Sequence, residues 1–339
     1  MKMVQCLLTR KCNIHCEYCC IAGNIDYADR PSEYPNGKTL KNNEVDANYW
    51  IDILTRYHKH DSGVYFILWG GEPFMDPKKL TAIVRALNRL DAGYTISTNA
   101  MKKRAIRDFF KDIGQVHGFS VSIDPGFERD DVRVKMDEYR KSRDGFETIK
   151  YVIENRFARD PSAVMTLSSE SAPFAPATMK HLIDHGVSVF LNLLSSQKNP
   201  YYDFPGKGTW HSCEPTDETR GVFDALKEFS GKQHTTKGIL DDMFAVLPEN
   251  FDCEIERDLH NITIEPDGAL RMCCNIRGVL SPRNRTEDIL DSDGKLIENG
   301  MTRFKADIAV DKRKYCQKCA LTCMMMSKLQ AAEAIRHVQ

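Results

Sequence analysis

Thr9–Cys20 reads TRKCNIHCEYCC, and the spacing of its thiols decides how the rest of the chain is read. Cys12, Cys16 and Cys19 stand in a C-x3-C-x2-C pattern, with Tyr18 just before the last of them. Three thiolates on one short loop suit a cubane iron–sulfur cluster, whose irons prefer soft sulfur ligands. A [4Fe–4S] cluster takes four ligands, so this loop leaves one iron open. A zinc knuckle is the competing reading, but zinc usually takes paired C-x2-C units and a closed set of four donors. His15 as fourth donor would strain so short a loop, because it lies between Cys12 and Cys16. Cys20 directly follows a candidate ligand and reads as a small buried residue pointing elsewhere.

Outward from the loop, helices and strands alternate. The apolar run Val4–Leu8 before it reads as a first strand. Gly23–Lys41, rich in Gly, Pro, Asn and Asp, reads as a long surface loop. Asn43 is placed to cap a helix over Glu44–His58, with Val45, Tyr49, Ile53 and Tyr57 at helical spacing. Val64–Trp69 is a continuous apolar strand that ends in Gly70, Gly71, Glu72 and Pro73. Helices are expected over Pro77–Leu90, Lys102–Ile113, Gly145–Asn155 and Ala177–His185. The strands between them are Tyr94–Ser97, Phe119–Ile123, Ala163–Leu167 and Val187–Leu193. Six strands alternating with helices imply an α/β fold, a parallel sheet with helices on its outer face. Ligands of such sheets sit at the carboxyl ends of the strands, where the polar motifs of this chain fall.

The cysteine loop and the turn at Gly70–Pro73 together resemble the signatures of the radical S-adenosylmethionine (radical SAM) enzymes. The resemblance implies a partial (β/α)6 barrel with parallel strands, and SAM chelating the open iron through its amino and carboxylate groups. Gly70, Gly71, Glu72 and Pro73 match the family's GGEP motif, whose backbone binds the SAM amino group. Glycines there allow close approach to the ligand, so Gly71→Val is expected to weaken SAM binding with the cluster retained. Ser97 and Asn99 match the family's polar residues after the third strand, and Ser122 and Asp124 match those after the fourth, which contact ribose. Turn capping by these side chains is the alternative. Arg140 and Arg143 lie where the family carries an arginine facing the SAM carboxylate; exposed helix-end arginines are the alternative. Tyr18 is expected near adenine.

The cysteines fall into two groups, Cys6 to Cys20 and Cys213 to Cys323. In the second, Ile262–Glu265, a turn at Pro266, Asp267 and Gly268, and Ala269–Cys273 read as a β-hairpin. With Cys253, Cys273 and the C-x2-C pair Cys316 and Cys319, this resembles the twitch or SPASM auxiliary-cluster domain of radical SAM enzymes. The full SPASM run C-x2-C-x5-C-x3-C is missing, so the resemblance implies one auxiliary [4Fe–4S] cluster on Cys253, Cys273, Cys316 and Cys319. Cys323 is a possible replacement, Cys274 a bystander, and zinc the competing metal. These cysteines follow the sixth strand, which places their cluster on a separate small α+β lobe. The expected division is a barrel over residues 1–215, then linker helices and an auxiliary domain over 216–339. The first strand begins near Val4, so a leader-recognition module ahead of it is not expected.

Composition narrows the function classes. With 42% apolar and 28% charged residues, the 339-residue chain should bury a packed core. A formal charge of −1 argues against polyanion binding as the main device, although a local patch would suffice for nucleic acid. No apolar run is long enough to span a membrane and no signal peptide is evident. The 12 cysteines therefore read as reduced thiols and metal ligands in a cytoplasmic protein. Ser195–Pro215 crowds Tyr201, Tyr202, Trp210, His211 and Cys213 into one loop, which either lines a substrate site or folds on its own aromatics. His211, Cys213 and Glu170 are the weak catalytic candidates.

The resemblance implies reductive cleavage of SAM to a 5′-deoxyadenosyl radical that takes a hydrogen atom from the substrate, with a flavodoxin or ferredoxin-type reductant. The leading expectation is oxidation or cross-linking of a peptide or small polar molecule. Isomerisation or lysis of a nucleoside, amino acid or modified base is the second, and a non-catalytic iron–sulfur or zinc protein the third. The turn at Gly70–Pro73 speaks against the third, since an electron carrier needs no SAM-binding turn.

Overall fold

The computed structural model describes residues 3–14, 16, 44–128, 142–168, 170–193, 221–222, 224–226, 229, 262–271 and 284–315. Its strands are β1 (Met3–Leu7), β2 (Tyr65–Trp69), β3 (Gly93–Thr98), β4 (Val116–Ser122), β5 (Ala158–Leu167), β6 (Ser188–Leu193), β7 (Ile262–Ile264) and β8 (Leu270–Arg271). The helices are α1 (Ala47–His60), α2 (Pro77–Arg89), α3 (Lys103–Ile113), α4 (Ser142–Glu154), α5 (Ala175–Asp184), α6 (Thr286–Ile289) and α7 (Glu298–Tyr315). Sheet order is β6-β5-β4-β3-β2-β1-β7-β8, parallel throughout except for the antiparallel β7–β8 pair. This is the expected α/β architecture, an open sheet with the strand order of a partial barrel.

Alternation along the strands sorts side chains between two faces. On the outer face Leu68, Ile96, Phe119, Val121, Met165 and Leu191 are buried in one core with the helices. Phe110 of α3 anchors this layer, edge-on to Phe119 at 5.2 Å and stacked on Phe157 at 4.8 Å. On the inner face, four serines stand in register across four strands: Ser97 opposite Ser120, Ser120 opposite Ser162, and Ser162 opposite Ser188.

Most element boundaries fall where the sequence puts them, and the exceptions have local causes. α1 starts at Ala47, capped by Asp46, whose carboxylate accepts the Tyr49 N–H at 2.9 Å. Asn43 is therefore not its N-cap, and Glu44 lies outside the helix because its carboxylate is committed to the cysteine loop. β5 starts at Ala158 rather than Ala163. Its first residues have only β4 beside them, since pairing with β6 begins at Ser162. Pro161 thus sits on an edge, where a sheet accepts a missing N–H.

The larger departure is at the other end of the sheet. Of the hairpin expected at Ile262–Cys273, the described residues form β7 and β8, but β7 pairs in parallel with β1, Cys6 opposite Ile264. The sheet does not close at its sixth strand, and this hairpin is not on a separate lobe. Its turn is fastened to the barrel by the Val45 N–H donating to Pro266 O at 2.7 Å and by an Arg10–Glu265 ion pair. The segment between α6 and α7 docks on α1, with Arg56 donating to Leu290 O at 3.1 Å and Lys59 to Ser292 O at 2.9 Å. Long-range pairing of this kind leaves no periodic trace in either partner's sequence.

Candidate functional site

The cysteine loop leaves β1 at the carboxyl end of the sheet, and its first residues are fixed from two sides. From β2, the Leu8 N–H donates to Trp69 O at 2.8 Å, Gly71 N–H to Thr9 O at 2.7 Å, and Glu72 N–H to Lys11 O at 2.8 Å. From the other side Glu44 accepts the Thr9 hydroxyl at 2.9 Å and the Arg10 N–H at 2.9 Å. Lys79 from α2 pairs with Glu44 at 3.6 Å and donates to Leu8 O at 3.0 Å. The Lys79 and Glu44 side chains are only 9% and 12% exposed, so losing either would strand the other's charge in a poorly solvated place.

The glycine pair serves this loop. A Cβ on Gly70 would lie 2.5 Å from Thr9 O, and one on Gly71 would lie 2.2 Å from Lys11 O. Gly70 also holds φ +151°, which side chains rarely adopt. The close approach that requires glycine is thus to the backbone of the cysteine loop. This geometry argues against the expectation that Gly71→Val spares the cluster, because the added side chain drives into the loop that carries Cys12.

Glu72 is fully buried and ties two strand exits together. Its carboxylate accepts the Phe74 N–H at 3.0 Å, the Thr98 hydroxyl at 2.7 Å and the Asn99 N–H at 2.8 Å. Burial pushes its pKa up, against these hydrogen bonds and the charge of Lys102, which pull it down. The folded carboxyl then holds its proton to higher pH than the unfolded one. Stability linked to this group is present below the unfolded pKa and falls as pH rises through the folded one. Glu72→Gln turns one acceptor into a donor facing donors and should lower unfolding free energy by about 1–3 kcal/mol. Urea melts across acidic and neutral pH should also show that negative slope reduced in the variant. An equal slope in both proteins would remove Glu72 as its origin.

Cys16 is buried and Cys12 half-buried. Asn99, at the exit of β3, donates from Nδ2 to Cys12 Sγ at 3.6 Å and to Asn13 Oδ1 at 3.1 Å. Soft sulfur donors at the sheet's carboxyl end, one of them receiving an amide N–H, fit a thiolate-bound iron–sulfur cluster. Ser122 ends β4 half-buried, and Asp124 follows it, buried, its N–H donating to Ser142 Oγ at 2.9 Å. Ser97 is in the serine row of the inner face. The described candidates Cys12, Gly70, Gly71, Glu72, Asn99, Ser122 and Asp124 thus all stand at the exits of β1 to β4. Arg143 donates from Nε to Phe127 O at 3.2 Å, bracing the chain after β4. Glu170 follows β5, half-buried. Tyr18, Cys19, Arg140, His211, Cys213, Cys253, Cys273, Cys274, Cys316, Cys319 and Cys323 lie outside the described residues.

Three contributors escaped the sequence reading. Glu44 and Lys79 carry no motif, since their partners are far along the chain. Trp69 had a signal, because its alternation with buried Leu68 puts it on the inner face beside Gly70. Its Nε1 is buried without a hydrogen-bond partner.

An open parallel α/β sheet with a cysteine loop seated on a Gly-Gly-Glu-Pro turn at its carboxyl end defines a class of cluster-dependent enzymes. The family model of the radical SAM superfamily matches residues 6–168, so this stretch of the chain is a radical SAM domain. Such a domain implies an enzyme with a [4Fe–4S] cluster and SAM. No curated protein matches the chain at a significant level. Among solved structures, Streptococcus suis SuiB bound to S-adenosylmethionine has a TM-score of 0.59 at 15% identity, over 90% of this chain and 67% of that one. SuiB bound to precursor peptide SuiA has a TM-score of 0.57 at 13% identity, over 96% and 70%. Native anSMEcpe with bound AdoMet and Cp18Cys peptide has a TM-score of 0.53 at 13% identity, over 88% and 83%. At these identities the likeness is one of fold.

Proposed function

We propose that this radical SAM enzyme oxidises or cross-links a peptide. The observation that carries the reading is the inner face of β3 to β6. From the row Ser97, Ser120, Ser162 and Ser188 to the strands' carboxyl ends, its side chains include Ser122, Thr166 and Asn192 and none is charged. Such a surface matches neutral groups that donate and accept hydrogen bonds, as a peptide backbone does, and offers no counter-charge for a phosphate or free amino acid. That SuiB and anSMEcpe were solved with peptides supports the same substrate class.

In this reading Cys12, Cys16 and Cys19 hold the cluster, and SAM lies at the strand exits near Gly71, Ser97, Asn99, Ser122 and Asp124, with Tyr18 and Arg140 also reaching it. When bound, the cluster and SAM together supply one-electron cleavage of the sulfonium and a radical able to take a hydrogen atom. The chain's own part is to orient SAM at the strand exits, hold the cysteine loop through Glu44, Lys79 and the Gly70–Glu72 turn, and exclude water. Cys253, Cys273, Cys316 and Cys319 hold an auxiliary [4Fe–4S] cluster in the region after residue 215. The formation of the β7–β8 hairpin just ahead of Cys273 supports that set. A flavodoxin or ferredoxin-type protein supplies electrons. No helix among the described residues is long and apolar enough to cross a membrane.

The test is incubation of anaerobically reconstituted, reduced protein with SAM and either peptides or candidate nucleosides and amino acids, followed by mass spectrometry. A peptide product lighter by two hydrogens is expected. A nucleoside or amino acid converted at unchanged mass or by carbon–carbon cleavage, with peptides untouched, would replace this reading by the isomerase or lyase one.

A further inference from the structure

We infer that Asn99 is a positioning residue that sets the reduction potential of the cluster bound through Cys12. The inference rests on the reading of Cys12, Cys16 and Cys19 as cluster ligands. It goes beyond the sequence expectation for Asn99, a polar residue after the third strand.

The amide of Asn99 is held at both ends. Its Oδ1 accepts the Met101 N–H at 2.9 Å, which fixes which way the amide faces and leaves Nδ2 as the atom toward the loop. Nδ2 donates to Asn13 Oδ1 at 3.1 Å and to Cys12 Sγ at 3.6 Å. The Asn99 backbone N–H is tied to Glu72 Oε2 at 2.8 Å, and the residue is 7% exposed. The donor is therefore pre-placed by β2, β3 and the loop, with little water to compete for it.

A cysteine sulfur bound to a cluster carries more negative charge when the cluster is reduced. An N–H aimed at that sulfur stabilises the reduced form more than the oxidised one and raises the potential. This is a shift in a one-electron equilibrium; no bond is made or broken in the protein. Asn99 thereby makes the cluster easier to reduce.

Asn99→Ala removes the donor. Asn99→Ser keeps a short acceptor suited to the turn and the Met101 N–H, but cannot reach the sulfur. Both should bind wild-type iron and show a more negative midpoint for the signal that changes when SAM is added, in a dithionite titration followed by electron paramagnetic resonance. The expected shift is about a tenfold less favourable reduction, or about 59 mV for one electron. Wild-type iron with an unchanged midpoint in both variants overturns the proposal. Loss of this iron in both overturns it in favour of a purely structural role. If Cys12, Cys16 and Cys19 replaced together by Ala leave the iron content unchanged, the ligand reading itself falls, a result distinguishable from either.

Discussion

Gly71→Val should cost the protein the iron of its N-terminal cysteine loop, not only its affinity for SAM. Valine's Cβ would meet Lys11 O at 2.2 Å and Arg10 O at 2.8 Å, both backbone atoms. Neither can swing aside as a side chain would. The same movement breaks the Gly71–Thr9 and Glu72–Lys11 hydrogen bonds, which position the residues leading to Cys12. Overpacking of this kind costs about 1–3 kcal/mol, and here it falls on the segment that presents a ligand. Reconstituted variant should bind about four irons fewer than wild type, one cubane's worth, and give no SAM cleavage. Gly71→Ala should show a weaker form of the same defect. Full iron with only SAM affinity lost would return the glycine to the role the sequence reading gave it.

The second large effect separates the two cysteine groups. Wild-type protein reconstituted without oxygen should hold about eight irons, the content of two cubane clusters. Replacing Cys12, Cys16 and Cys19 together by Ala should leave about four and abolish 5′-deoxyadenosine formation. Replacing Cys316 and Cys319 should also leave about four, yet keep slow 5′-deoxyadenosine formation while product falls sharply. β7 is hydrogen-bonded to β1, and Glu265 beyond it pairs with Arg10, two residues before Cys12. Disturbance of the auxiliary region can therefore reach the first loop, and circular dichroism must accompany the assay. A folded double variant with full product yield would end the catalytic role of the second cluster, and wild-type protein holding only zinc there would end the cluster.

The motif residues were legible because their chemistry is local. Thiol spacing is a property of one short loop, and so is the glycine pair that follows a strand. Alternating helical and strand periodicity likewise placed the first six strands within a few residues, since burial on one face repeats along each element. What those residues touch was less legible. Gly70 and Gly71 were recognisable as a site of close approach, but whether the neighbour is a ligand or the chain's own backbone is settled by how β1 and β2 stand side by side. Glu72 was readable only as part of a motif. Its burial, and its three donors from Phe74, Thr98 and Asn99, follow from the adjacency of the β2 and β3 exits.

The sequence by itself determined the spacing of the cysteines, the order of the elements and the end of the sheet at which the described motifs stand, because each depends on residues near one another in the chain. The tertiary structure alone decided that Glu44 and Lys79 clamp the cysteine loop, that Asn99 reaches Cys12, and that a strand from beyond residue 260 extends the sheet beside β1. Those contacts join segments tens to hundreds of residues apart. Their energy comes from desolvated charge and completed backbone pairing, which exist only once the sheet has assembled.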